Sequence, residues 1–85
     1  MANLTDTQAQ VLAWIIEQGG SVLLSEPTLG ESHETLIADG GANLDIDGSD
    51  FRELEAQDCV RHVSGRRYEV TNVGRAFDQQ RRMGS

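Results

Sequence analysis

The chain has no lysine, one cysteine and one proline, and aromatic residues make up only 5% of its 85 residues. A lone Cys59 cannot form an internal disulfide, and this pattern suits a reducing, cytoplasmic compartment. No apolar run approaches the roughly 18–20 residues of a membrane span. The N-terminus does not place a charged region before an apolar stretch, so no secretory signal is read there. Without lysine, all positive charge rests on seven arginines, against fourteen aspartates and glutamates, for a net charge of −7. That balance excludes a protein that coats nucleic acid by bulk positive charge, which needs many cations against phosphates.

The charge that is present is unevenly placed. Residues 1–50 carry nine of the acids and no arginine, whereas residues 51–85 carry all seven arginines and five acids. A hydrophobic content of 38% is enough for one modest core, and the length fits one domain.

Residues 5–18 read as a helix. Thr5 and Gln8 form a capping box, Val11, Leu12, Ile15 and Ile16 make an apolar stripe with Trp14 on its edge, and Gly19-Gly20 ends it. Ser21-Val22-Leu23-Leu24-Ser25 reads as a brief strand. A second helix is expected from near Thr28, with Glu31 as its capping-box partner. Leu29, His33, Leu36 and Ile37 would share one face, and Asp39-Gly40-Gly41 would stop it. Residues 42–48 read as a loop with an extended piece at Leu44-Asp45-Ile46.

A third helix is expected from Ser49 or Asp50 to about Asp58, with Phe51 and Leu54 inward and Arg52, Glu53, Ala56 and Gln57 outward. Residues 59–63 and 67–71 flank Ser64-Gly65-Arg66 and read as a hairpin. Pairing Val63 with Arg67 would put Val60, His62, Tyr68 and Val70 on one face and Arg61 opposite Glu69. Thr71 or Asn72 caps a last helix, with Val73, Ala76, Phe77 and Gln80 expected inward and Arg81 and Arg82 in its final turn.

Signatures of catalysis or metal binding fail on spacing. Cys59 and His62, three apart on a strand, point to opposite faces, which suits neither a zinc site nor a nucleophile pair. His33-Glu34-Thr35-Leu36-Ile37 lacks the second histidine of a zinc protease. The segment from Asp45 lacks the glycine and terminal glutamate of a calcium loop. No catalytic residue, metal or cofactor is therefore assigned.

The order helix, strand, helix, helix, hairpin, helix resembles the winged helix-turn-helix family. The likeness is sharpest over residues 51–77, through Leu54, the first wing strand Cys59-Val60-Arg61 and the segment Tyr68-Glu69-Val70-Thr71-Asn72-Val73-Gly74-Arg75. The resemblance implies an α+β domain with a three-helix core, a β-hairpin wing and a C-terminal helix that could join two copies. It also implies double-stranded DNA as partner, with Arg52 and Gln57 on the groove-facing helix and Arg61, Arg66 and Arg67 on the wing. A transcriptional regulator or accessory protein is the function expected first. Two other binding roles stay open: a protein-interaction module on the same scaffold, and an acidic mimic of nucleic acid in which Glu31, Glu34 and Asp39 meet a partner protein.

Overall fold

A computed structural model describes residues 4–25 and 33–84. Among them lie three helices and five strands, in the order α1 (Asp6–Glu17), β1 (Ser21–Leu24), β2 (His33–Ala38), β3 (Asn43–Asp47), α2 (Gly48–Ala56), β4 (Val60–Ser64), β5 (Arg67–Val70) and α3 (Asn72–Met83). The strands form one antiparallel sheet in the order β3-β2-β1-β5-β4. The class is α+β.

The helices cover one face of the sheet. Val11, Leu12 and Ile15 of α1 and Phe51 and Leu54 of α2 join Val22, Leu36, Ile46, Val60 and Val70 in a single core, with Phe77 of α3 packed on its edge. Alternation along each strand does the sorting, since successive side chains face opposite ways. Leu36 is fully buried while its neighbour Ile37 is 37% exposed. The other face, which is uncovered among the described residues, therefore carries Leu23, Ile37, Thr35, Asp45, Arg61, Arg67 and Glu69.

Several elements follow the sequence reading closely. Thr5 caps α1 with both arms of its capping box formed to Gln8. Helix α2 begins at Gly48, where Asp47 caps it by accepting from the Ser49 amide at 2.9 Å. Phe51 and Leu54 are buried as expected.

Three expectations need correction. The helix expected from residue 28 is, over its described part, strand β2. The spacing of His33, Leu36 and Ile37 satisfies a helical period, but the segment alternates, with Leu36 and Ala38 buried and Ile37 exposed. Thr28, Leu29 and Glu31, the expected start of that helix, lie outside the described residues. Asp39-Gly40-Gly41, expected as a helix stop, turns β2 into β3, with Gly41 at φ +94°.

The hairpin register is right through His62 and then slips. Val60, Arg61 and His62 oppose Val70, Glu69 and Tyr68, but Ser64 rather than Val63 faces Arg67. Val63 is the extra residue of a bulge. Helix α3 is rotated relative to expectation. Gly74 and Asp78 are buried and Phe77 half-buried, while Val73, Ala76 and Gln80 are exposed. Gly74 sets this rotation, because a side chain there would collide with the Cys59 backbone and with Val70 Cγ2, 2.8 Å away.

Candidate functional site

Each arginine expected to touch nucleic acid can be placed. Arg52 projects from α2 in the helical layer, with Nη2 3.9 Å from Glu34 Oε1. Gln57 sits at the C-cap of α2 and donates to Glu53 Oε1 at 2.9 Å. Arg61 and Arg67 stand on the opposite, uncovered face of the sheet. Arg61 pairs with Glu69 across the hairpin, Nε to Oε1 at 2.8 Å. Arg67 reaches across β1, donating to Ser21 Oγ at 2.7 Å and to Asp39 Oδ1 at 3.2 Å. Arg66 lies in the turn, and its carbonyl accepts from the Leu24 amide at 2.8 Å. These side chains do not share a face: Arg52 is separated from Arg61 and Arg67 by the thickness of the sheet.

The acids expected at a protein interface divide similarly. Glu31 lies outside the described residues. Glu34 is on the helix side of β2, its side chain 11% exposed, against Gly48 at the start of α2. Asp39 is exposed in the β2–β3 turn and holds Arg67.

Cys59 and His62 are not brought together as a reactive pair. The Cys59 thiol is fully buried, and burial followed by the adjacent Asp58 charge pushes its pKa up, which disfavours the thiolate. His62 Nε2–H donates to the Gly65 carbonyl at 2.6 Å, and the ring lies 5.2 Å from Tyr68. Tyr68 in turn makes an edge-to-face contact with Phe51 at 4.9 Å, and burial, then Glu55 and Glu34, raises its phenol pKa. No group of three His, Cys, Asp or Glu residues that could hold a metal occurs among the described residues. No helix among them is long and apolar enough to cross a membrane.

One concave feature was not anticipated from the residues. A groove of about 540 Å³ runs between α1 and β3, floored by Val11, Trp14, Leu44 and Ile46. Asp45 and Asp47 line its strand side, and Asp50, on the first turn of α2, lines it as well and accepts from Gln8 Nε2 at 3.3 Å. Its only foreshadowing was Trp14, read as sitting on the edge of the α1 stripe; the strand that forms its other wall was read mostly as loop.

Strand β3 is an end strand of the sheet. The Ala38 amide donates to the Ala42 carbonyl at 2.7 Å, and pairing continues through Leu36 opposite Leu44 and Glu34 opposite Ile46. Antiparallel ladders alternate, so the backbone N–H and C=O of Asn43 and Asp45 point away from β2, toward the outer edge. Comparison with protein families, with curated proteins and with solved structures finds no match to this chain.

Proposed function

We propose that this chain is a non-enzymatic protein-interaction module, built on a winged-helix-like scaffold in which the β2–β3 hairpin takes the place of the second core helix. The observation that carries the reading is the edge of β3 that is open among the described residues, beside the Trp14 groove, where apolar floor and outward backbone direction meet. Concave apolar sites flanked by a few polar groups are where proteins bind other molecules.

The arrangement of arginines supports this reading over contact with duplex DNA. Arg52, Arg61 and Arg67 each lie within ion-pair distance of a carboxylate, and they stand on two different layers. Phosphate contacts supply most of the affinity for DNA, and these cations would have to leave their acids to make them. The pair expected to position a helix in the major groove is also incomplete, because β2 occupies part of the segment read as its first member.

The test has two arms. Duplex DNA titrated at low salt should give no binding at about 50 μM protein, inside the range of ordinary non-specific affinity. A partner captured from cells that make the protein should be lost when Trp14→Ala removes the groove floor. Binding to DNA that disappears in an Arg66→Glu/Arg67→Glu variant would overturn the proposal in favour of the DNA-binding regulator.

A further inference from the structure

We infer that the β3 edge accepts an extended peptide in which cationic and apolar residues alternate, added to the sheet as a sixth strand. The inference rests on the interaction reading above and names the chemistry of its partner. Three features of the edge converge on this occupant.

The first is backbone geometry. Asn43 and Asp45 present N–H and C=O outward in register, which is what a joining strand needs. The other end strand, β4, is poorly suited, because the bulge between His62 and Ser64 bends its edge. The β2–β3 pairing runs through five residue pairs without a shift.

The second is the apolar floor. Residues of an added strand that face the helices would lie over Leu44 and Ile46 and against Val11 and Trp14. Alternate residues would face the other way, beside Asp45 and Asp47 on the uncovered side.

The third is charge. Asp45 on the uncovered face, Asp47 at the junction of β3 with α2 and Asp50 on α2 make the surroundings of the β3 edge acidic. Each already accepts a hydrogen bond within the chain, and no arginine lines the groove. Opposite charges across adjacent strands stabilise pairing, whereas like charges directly opposite destabilise it. A second copy of this chain joined edge to edge through β3 would bring aspartate against aspartate in the registers that pair Asp45 with Asp45 or Asp47. In the register centred on Leu44 it would set an aspartate beside the uncharged Asn43, with no cation. The acids therefore guard the edge against self-association while selecting a basic partner.

The experiment uses the full chain and a blocked hexapeptide alternating arginine and valine. Trp14 is the only tryptophan, so its emission reports the groove directly. Titration should shift that emission, and amide exchange should slow at Asn43 and Asp45, whose N–H groups gain partners. A matching peptide of glutamate and valine should fail to bind. Asp45→Asn/Asp47→Asn keeps the side-chain acceptors toward Thr35 and Ser49 while removing both charges, and should weaken binding about tenfold.

Binding without slowed exchange at Asn43 and Asp45 would overturn the inference, as would equal binding of the acidic peptide. So would no binding at about 1 mM, the weak end of the affinity scale. Slowing of the same amides with protein concentration alone would assign the edge to a second copy and also overturn it. None of these outcomes touches the interaction reading, which fails only on its own DNA and capture arms.

Discussion

Gly74 lies directly against the Cys59 carbonyl, so that the first turn of α3 is seated on the turn that leads from α2 into β4. Thr71 locks the same junction. Its amide donates to the Cys59 carbonyl at 2.9 Å, its hydroxyl donates to the Asp58 carbonyl, and its oxygen accepts from the Gly74 amide at 3.1 Å.

A single methyl group should disturb this seat. Gly74→Ala is expected to destabilise the fold by about 1–3 kcal/mol, because the added carbon meets backbone that cannot swing aside. Gly40→Ala, which meets nothing within 4 Å, should stay within about 0.5 kcal/mol. Urea unfolding of the two variants, followed by Trp14 emission, gives the comparison.

The buried carboxylate of Asp78 makes the last turn of α3 unequal in its two arginines. Arg82 Nε donates to Asp78 Oδ2 at 2.8 Å, with the Asp78 side chain only 8% exposed. Arg82→Ala withdraws that donor from a buried acceptor and should cost about 1–2 kcal/mol. Arg81→Ala, at an exposed position, should cost less than about 0.5 kcal/mol. Equal losses in thermal unfolding would contradict the pairing.

Alkaline pH should weaken the fold through Cys59. Its thiol pKa is raised above the ordinary 9.0 by burial and then by Asp58, so the unfolded chain releases this proton before the native one does. Stability is therefore fully present below that ordinary value and falls as pH rises from there through the folded pKa. Tyr68, raised above 10.0 by burial and then by Glu55 and Glu34, acts in the same direction at higher pH. Denaturant midpoints between about pH 7 and about pH 10 should decline less steeply for Cys59→Ala than for the wild type.

Neighbouring substitutions in β2 distinguish a strand from the helix expected there. Leu36→Ala should cost about 2–5 kcal/mol, because the side chain is fully buried. Ile37→Thr, on the uncovered face and still β-branched, should cost about 1 kcal/mol or less. On a helix the two residues would share the apolar face and lose comparable stability.

This same pair explains how far the fold was legible in the amino-acid sequence. Helix α1 was readable because its capping box and its stripe are local signals, and the hairpin was readable from its β-branched runs around a glycine turn. Residues 33–38 were not, since their apolar spacing suits both periods over so short a stretch. The choice was made by β1, which pairs with β2 and draws Leu36 and Ala38 toward α1 and α2. The candidate site suffered from the same ambiguity. Asp47 reads as a loop acid and Asp45 as part of a short extended piece until β2 exists to align them, and the groove needs β3 beside Trp14. The arginines lie on the hairpin and α2 where their residues imply, and Arg61 meets Glu69 as its register implies. Glu34 and Asp39, the partners of Arg52 and Arg67, come instead from the segment whose spacing suits either period.

Strand β1 has a further consequence for how the molecule assembles. The contacts β1 with β2, β2 with β3 and β4 with β5 each join successive strands, but Val22 meets Tyr68 and Leu23 meets Arg67 across more than half the chain. The sheet is thus a meander and a hairpin closed by one four-residue seam. Closing so long a loop costs entropy before its contacts repay it, so the β1–β5 seam is a late and costly pairing to form, unlike the pairings of successive strands. The meander and the hairpin each close short loops, whereas the core between them is complete only once this seam brings the two together.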